Sequence, residues 1–261
     1  MARSSTIARP PLRMLGVEPL RAMMEYARMS FARDIAVARG DGHAVVLFAG
    51  LGADEKIMRP LAQFCERLGY ECYDWGRGRN AGPRGDPVAW LHHLSTHVDA
   101  MVPKRHTSMS LIGWSLGGLY AREIAKALHR RVRQVVTLGS PSVRIAESTN
   151  VGWLYQLLGG DTRATSHFTK ALKVSPPVPT TSIYSRSDGI VAWRSCRLVP
   201  GPVAQNVEVQ SSHLGLVWHP DVWRVIADRL AQRPGQWRRW DPDANEPAGR
   251  PVTAPSTIAI A

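Results

Sequence analysis

The sequence predicts an α/β fold, a mostly parallel central sheet with helices on both faces. Two patterns support this prediction. Short apolar runs alternate with amphipathic helical segments along most of the chain. The run AVVLFA at 44–49 is apolar throughout, which is typical of a strand buried on both faces of a parallel sheet. The length of 261 residues suits one large domain.

The alternation also gives the order of the elements. Apolar runs predict strands at 44–49, 70–75, 108–113, 134–138, 180–185 and 207–210. Helical periodicity predicts helices at 55–68, 88–101, 116–129 and 220–231. The segment 141–179 loses this regularity and is expected to form a small cap. The chain therefore divides into an extension at 1–43, an α/β domain at 44–232 and a disordered tail, rich in proline and charge, at 233–261.

An amphipathic helix is predicted in the N-terminal extension, from Glu18 to about Arg39. Its apolar positions recur every three or four residues, with arginines on the other face: Leu20, Met23, Met24, Ala27, Phe31, Ile35 and Ala38. We expect this apolar face to pack on the domain. A helix that binds a membrane surface or a partner protein is the alternative.

The chain is strongly basic, with a formal net charge of +12 and an isoelectric point near 10.3. Such a charge attracts anionic surfaces. The basic residues are spread along the whole chain and are not interleaved with aromatic residues as in nucleic-acid-binding proteins. We therefore expect no specific nucleic-acid partner, and peripheral association with an anionic membrane stays open.

The three cysteines, Cys65, Cys72 and Cys196, are an odd number without C-x-x-C spacing. This pattern predicts reduced thiols rather than disulfides or a zinc ribbon. No apolar segment typical of a secretion signal follows Met1, and no uncharged apolar stretch is long enough to cross a bilayer. The expected location is cytoplasmic, with the periphery of the inner membrane as the alternative.

The strongest chemical signal is the pentapeptide Gly113-Trp114-Ser115-Leu116-Gly117, between an apolar strand and an amphipathic helix. A G-x-S-x-G sequence in this context predicts a nucleophile elbow, in which the serine occupies a strained turn. Small residues two positions before and after the serine let the strand and the helix approach closely. The alternative is an ordinary glycine-rich turn.

A serine hydroxyl needs a neighbouring imidazole to accept its proton, and an acid to orient that imidazole. In this kind of fold the acid and the histidine follow the serine along the chain, each after a strand. Asp188 follows the strand TTSIYS, and His213 follows the strand VEV. Ser115, Asp188 and His213 are therefore the predicted nucleophile, orienting acid and base.

Two backbone amides are the expected donors to a developing oxyanion. The N–H of Leu116 lies at the start of the helix after Ser115, where backbone amides and the helix dipole favour negative charge. The N–H of Leu51, in the loop Ala49-Gly50-Leu51-Gly52 after the first strand, is the second candidate, and a purely structural turn is the alternative there.

Other motifs are weaker. His93 and His97 have the i,i+4 spacing of zinc ligands but lack an H-E-x-x-H pattern, so a solvated helix face is favoured. Asp161, His167 and His219 are less favoured triad candidates. The segment 76–81 matches a dinucleotide fingerprint, but the glycines and prolines after it exclude the helix that this fingerprint needs. No metal or other cofactor is expected.

These motifs together resemble bacterial lipases and esterases of the α/β-hydrolase superfamily, over about residues 44–231. The resemblance rests on AGLGAD, LIGWSLGGLYAREIA, VVTLGSP, YSRSDGIVAW and SSHLGL. It implies a triad of Ser115, Asp188 and His213, no metal in the chemistry, and a variable cap. Ala49 stands where many lipases of this type carry histidine, which favours a general hydrolase over a long-chain lipase.

The expected function is hydrolysis of a small hydrophobic carboxylic ester through an acyl-enzyme on Ser115. Acyl transfer or thioester hydrolysis by the same three residues is an alternative. A non-catalytic, membrane-associated protein that binds a hydrophobic ligand is another.

Overall fold

The computed structural model describes residues 9–31, 39–142 and 174–242. Six parallel strands form one sheet in the order β2-β1-β3-β4-β5-β6. The strands are β1 Ala44–Phe48, β2 Glu71–Asp74, β3 Met109–Trp114, β4 Val132–Leu138, β5 Thr180–Tyr184 and β6 Ala204–Glu208. The described helices are α1 Leu12–Phe31, α2 Glu55–Arg67, α3 Pro87–Met101, α4 Leu116–Ala127, α5 Trp193–Cys196 and α6 Pro220–Ala231.

Helices cover both faces of this sheet, which confirms the predicted fold class. Alternate strand residues point to opposite faces. Leu111 belongs to the apolar cluster that contains side chains of α3 and α4, and Ile112 belongs to the cluster that contains side chains of α2 and α6. On the second face Phe64 of α2 stacks on Trp223 of α6, with ring centroids 4.7 Å apart. The carboxyl ends of the strands therefore project from a core that is packed on both sides.

The predicted bounds of most elements are close to those observed. The helix at 220–231 is confirmed at both ends, and no helix begins at the fingerprint-like segment 76–81. Among the strands, the last one is displaced, because it begins at Ala204 rather than at 207. The start of this strand could not be recognised from apolar residues, because Gln205 and Asn206 are polar. Asn206 bonds the backbone of Leu198 through both ends of its amide, at 2.7 and 3.0 Å.

Helix α1 differs most from its prediction. It begins at Leu12, six residues before the expected start, and residues 32–38 of the predicted helix lie outside the described residues. The expected packing face was wrong: Leu20, Met23 and Met24 are exposed. The residues that α1 buries against the body of the protein include Glu18 and Glu25. Hydrogen bonds to these two carboxylates therefore help to orient this helix, together with the packing of Met29 and the contact of Tyr26 with Trp218.

The first ten residues of the predicted tail are among those that the structure describes. Residues 233–242 fold back on the edge of the sheet, where Trp240 and Gln205 exchange two hydrogen bonds of 2.6 and 2.9 Å. Disorder from 233 was therefore a wrong prediction for these ten residues. Residues 243–261, and residues 143–173 of the predicted cap, lie outside the described residues. Among the described helices, none has the length and apolar character needed to cross a bilayer.

Candidate active site

Ser115 occupies the sharp turn between β3 and α4. Its φ of 54° and ψ of −122° make it the only non-glycine residue with positive φ among those described. A serine in this conformation is strained, and the surrounding structure must hold it. The N–H of Ser115 donates to Leu138 O at 2.9 Å, which ties the turn to the end of β4. The side chain is neither buried nor fully exposed.

The glycines around Ser115 explain how so tight a turn is accommodated. A Cβ atom on Gly113 would overlap the backbone of Gly117 and Gly118. A Cβ atom on Gly117 would overlap the carbonyl oxygen of Phe48, at the end of β1. The strand and the helix thus approach as closely as the sequence predicted, and no larger residue fits at either position.

The predicted acid and base lie together at the same edge of the sheet. Asp188 Oδ2 is 2.6 Å from His213 Nδ1, and both side chains are almost fully buried. The other oxygen, Asp188 Oδ1, accepts the backbone N–H groups of Ile190 and Val191 at 2.8 and 2.7 Å. Three hydrogen bonds therefore fix the carboxylate, and the ring nitrogen left for proton transfer is His213 Nε2.

Two contacts place His213 beside the serine turn. The indole N–H of Trp114, the residue before Ser115, donates to His213 O at 3.0 Å. A Cβ atom on Gly139, just after β4, would lie 3.0 Å from His213 Nδ1. Ser115 Oγ and the His213 ring share no hydrogen bond in this structure. Such bonds are often long without substrate and shorten in the reacting complex.

The electrostatic surroundings favour the protonated form of His213. Burial alone would lower its pKa. The negative charge of Asp188, the hydrogen bond that His213 donates to it and the charge of Glu18 act in the opposite direction and outweigh burial, so the pKa of His213 is raised above 6.5. An imidazolium formed by taking up the serine proton is thus stabilised where it forms.

The loop that carries Leu51 and the first turn of α4, which carries Leu116, both adjoin Ser115. A Cβ atom on Gly50 would lie 3.2 Å from Ser115 Cβ, so the loop after β1 passes directly over the serine. Among the described residues, no group accepts the N–H of Leu51. The N–H of Leu116 is in the first turn of α4, where helix amides have no intrahelical acceptor. The loop after β1, which carries Leu51, therefore passes close to Ser115.

Asn80, which sequence analysis missed, holds this loop. Its side chain is fully buried and donates through Nδ2 to Ala49 O at 2.8 Å. Its backbone accepts the N–H of Gly52 at 2.7 Å and donates to Ala53 O at 2.7 Å. An asparagine within the glycine-rich segment 76–85 was the only signal in the sequence, and it resembles an ordinary turn residue.

Glu18 and Glu25 of α1, also missed, contact the loops that carry the acid and the base. Glu18 accepts the N–H of Gly189 at 2.7 Å and the N–H of His213 at 2.9 Å. Glu25 accepts the N–H of Ser212 at 2.9 Å and the hydroxyl of the same residue. Their separation of seven residues places both carboxylates on one face of the helix.

The competing candidates lie elsewhere. His219 caps α6, where its Nδ1 accepts the N–H of Asp221 at 3.2 Å. Asp161 and His167 lie outside the described residues. Within the described ranges, no three His, Cys, Asp or Glu side chains are grouped as metal ligands would be, and His93 and His97 belong to no such group. Cys65, Cys72 and Cys196 are free thiols.

Comparison of the structure with solved structures finds many similar chains. A lipase-esterase related protein from Clostridium acetobutylicum matches with a TM-score of 0.51 over 75% of this chain and 96% of its own, at 14% identity. A monoacylglycerol lipase from Paleococcus ferrophilus matches with a TM-score of 0.53 over 75% and 97%, at 15% identity. The chain has the α/β-hydrolase fold.

A third structure with the α/β-hydrolase fold, naproxen esterase from Bacillus subtilis, matches with a TM-score of 0.51 over 82% of this chain and 98% of its own, at 14% identity. No protein-family model and no curated protein matches the chain by sequence. Identities this low show the fold alone, so the argument for activity depends on the site itself.

Proposed function

We propose that the protein is a serine hydrolase that cleaves a carboxylic ester through an acyl-enzyme on Ser115. The observation that carries this proposal is the buried Asp188–His213 pair, with 2.6 Å between carboxylate and ring, beside a serine in a positive-φ turn at the start of a helix. This arrangement supplies a nucleophile, a base and an orienting acid at one edge of the sheet.

The proposed reaction has two halves. In the first, His213 Nε2 takes the proton of Ser115 Oγ as the oxygen attacks the ester carbonyl, and the carbonyl oxygen becomes an oxyanion. The N–H groups of Leu51 and Leu116 donate to that oxyanion. The intermediate collapses as His213 returns the proton to the leaving alcohol, and the acyl group stays on Ser115. In the second half, His213 takes a proton from water as the water oxygen attacks the acyl carbonyl. When this second intermediate collapses, the bond to Ser115 Oγ breaks, His213 returns the proton to that oxygen, and the carboxylic acid is released.

Active-site labelling tests the nucleophile. A fluorophosphonate probe should label the purified protein, and mass spectrometry of its peptides should find the adduct on Ser115. Ser115→Ala should abolish labelling, whereas Ser110→Ala, which removes a buried hydroxyl of β3, should retain it. Labelling of another residue, or no labelling of a folded protein, would count against the proposal and favour a non-catalytic ligand-binding role.

Substrate profiling tests the reaction. p-Nitrophenyl esters of increasing chain length should be hydrolysed, with acyl-Ser115 detectable after rapid quenching. A soluble alcohol added as a competing acceptor separates hydrolysis from acyl transfer. If the ester of that alcohol forms faster than the free acid, the protein is an acyltransferase and the hydrolase assignment is wrong.

A further inference from the structure

Helix α1 places a buried carboxylate between the acid and the base of the proposed triad. Glu18 is 2% exposed, and its two oxygens accept backbone N–H groups from two different loops. One donor is Gly189, next to Asp188, at 2.7 Å. The other is His213 itself, at 2.9 Å from Oε2 and 3.2 Å from Oε1. One side chain therefore joins the loop after β5 to the loop after β6.

The rest of the helix interface reinforces this connection. Arg21 donates to the backbone oxygen and the hydroxyl of Ser187, at 2.5 and 2.8 Å. Glu25 bonds the backbone and the side chain of Ser212. A Cβ atom on Gly189 would lie 2.5 Å from the backbone of Met14, so the helix backbone packs directly on the acid loop. Helix α1 therefore binds Ser187, which precedes Asp188, and Ser212, which precedes His213.

We propose that Glu18 is a positioning residue, which sets the distance between the Asp188 loop and the His213 loop from outside the α/β core. This proposal rests on the proposed function, because positioning matters only if His213 acts as a base. A carboxylate suits this role, since its two oxygens can accept N–H groups from both loops at once. A displacement of His213 by about 1 Å is sufficient to reduce turnover about 100-fold.

The charge of Glu18 gives a readout that a merely structural contact would not. Among the described residues, the charged groups that shift the pKa of His213 are Asp188 from the loop after β5 and Glu18 from α1. Glu25 and Arg21 contact the neighbouring residues Ser212 and Ser187. Since the charge of Glu18 raises the pKa of His213, its removal should lower that pKa and move the acid limb of kcat/KM to lower pH.

Glu18→Gln is the main test variant, because it keeps the shape and one acceptor oxygen but removes the charge. We expect kcat to fall about 10- to 100-fold with KM nearly unchanged, and the acid limb to move to lower pH. Glu18→Ala should lose more activity. Glu25→Gln is the matched control on the same face of α1, and it should leave the acid limb in place. Wild-type kcat and an unmoved acid limb in folded Glu18→Gln would overturn the proposal.

An NMR titration of the His213 ring separates failure of this proposal from failure of the proposed function. The pKa of His213 should be lower in Glu18→Gln than in wild type, whether or not an ester is hydrolysed. If wild type shows no turnover and no labelling but the His213 pKa still responds, the positioning contact exists and the hydrolase function is wrong. If wild type is active and the pKa does not respond, Glu18 does not act on the base.

A second, independent observation concerns the outer face of α1. Its exposed apolar side chains include Leu12 at 75%, Met23 at 64% and Leu20 at 55% exposure. The exposed charged residues of this helix, Arg13 and Arg28, are both basic, and its two acidic residues are buried. The exposed surface of this helix is therefore mostly apolar, and its exposed charged residues are basic.

We infer that this outer face binds an anionic lipid surface. Helices with one apolar face and basic residues beside it lie in the interface of membranes, and anionic headgroups strengthen the attraction. The net charge of +12 acts in the same direction. A cavity of about 300 Å³ at the start of the helix has three arginines in its lining, Arg9, Arg186 and Arg194, against one carboxylate, Asp188. Arg186 is paired with Glu208 at 2.9 Å.

Vesicle flotation tests the lipid proposal. The full chain should float with vesicles of phosphatidylcholine and phosphatidylglycerol, and not with phosphatidylcholine alone. Replacing Leu20, Met23 and Met24 together by serine should weaken binding about 10-fold or more, while hydrolysis of a soluble ester stays unchanged. The matched control replaces three exposed valines elsewhere by serine: Val88, Val174 and Val199.

Three outcomes would overturn the lipid proposal. The wild-type chain fails to float with anionic vesicles, or the triple serine variant of α1 floats as well as wild type. In the third, wild type elutes as a dimer that the triple variant converts to a monomer, which would show that a second copy covers the face instead.

Discussion

Within the described part of the chain, two Asp–His pairs each lie beside a serine, at opposite ends of the strand β3. At the carboxyl end, Asp188 and His213 lie beside Ser115. At the amino end, His43 Nδ1 is 2.5 Å from Asp41 Oδ1, and His43 Nε2 is 2.7 Å from the hydroxyl of Ser110. The hydrogen-bonded chain from Asp41 to Ser110 is complete, whereas the histidine–serine bond at the other end is open.

Although the Asp41–His43–Ser110 hydrogen bonds are complete, Ser110 cannot act as a nucleophile. Ser110 is fully buried in the middle of the sheet, where β3 pairs with β1 and β4. Its backbone belongs to the ladder of the sheet and has no N–H to offer an oxyanion. Ser115 lies five residues later, past the end of the strand, in a strained turn at a helix N-terminus. Access and unused backbone donors, more than hydrogen bonds among three side chains, distinguish a reactive serine.

The two histidines also differ in charge. Burial and the positive charge of Arg133 lower the pKa of His43, although Asp41 acts in the opposite direction. Arg133 is 2.6 Å from Asp41 Oδ2 and 3.0 Å from His43 Nδ1. No cation is among the groups that shift the pKa of His213, which is raised. The surroundings of His43 thus favour its neutral form, whereas those of His213 favour the protonated form.

The largest expected difference in kcat is between the alanine variants of Ser115 and Ser110. Ser115→Ala should reduce kcat about 10⁶-fold, since removing the nucleophile of a triad leaves only binding and oxyanion stabilisation. Ser110→Ala should keep kcat within about twofold of wild type. Steady-state kinetics on a p-nitrophenyl ester measures both. Retained turnover in Ser115→Ala, or its loss in a folded Ser110→Ala, would reverse the roles assigned to the two ends.

The acids give the next largest difference. Asp188→Asn should reduce kcat about 10⁴-fold, because an amide at this position holds His213 in the wrong tautomer. Asp41→Asn should leave kcat nearly unchanged, because its partner faces no substrate. The same kinetic assay compares the two variants, with circular dichroism to show that both are folded. An active Asp188→Asn would mean that another acid orients His213.

His213 and His43 are expected to change the stability of the protein with pH in opposite directions. The acid limb of kcat/KM should lie above pH 6.5, since His213 must lose its proton to act as a base and its pKa is raised. His213 contributes stability that is fully present below pH 6.5 and is lost as pH rises through its folded pKa. His43, with a lowered pKa, has the opposite sign: the stability it contributes is lost as pH falls below 6.5.

Urea unfolding between about pH 5 and 7 measures these signs. Replacing His43 by glutamine should remove part of the loss of stability at low pH, and should not move the acid limb. If the acid limb moves in His43→Gln, the amino-terminal pair takes part in the reaction after all.

The sequence predicted what depends on local pattern. The elbow around Ser115 needs small residues at fixed offsets, and the positions of Asp188 and His213 follow from the order of strands, so both could be inferred before the structure. Glu18 could not, because its contacts join residues 171 and 195 positions away. Nothing local distinguishes a carboxylate that accepts distant N–H groups from one that faces solvent.

The error on α1 has the same origin. Periodicity gave a helix with an apolar face and a polar face, and burial of the apolar face was the natural expectation. The helix instead buries Glu18 and Glu25, because unpaired N–H groups near Asp188 and His213 would be costly to leave buried without acceptors. A pattern of hydrophobicity predicts the apolar and polar faces of a helix, but it does not predict which face is buried against the rest of the protein.

The smallest expected effect is on stability at the amino-terminal pair. Ser110→Ala removes the partner of His43 Nε2 and a 3.3 Å contact with Gln134 Nε2, in a place without access to solvent. Leaving buried polar groups unsatisfied should lower the free energy of unfolding by about 1–3 kcal/mol. Urea unfolding measures it, and Ser115→Ala is the control. Alanine keeps the strained backbone of residue 115, and the Ser115 hydroxyl has no partner to lose among the described residues, so that variant should be about as stable as wild type. Equal losses of stability in both variants would remove the distinction between a serine kept for structure and one kept for chemistry.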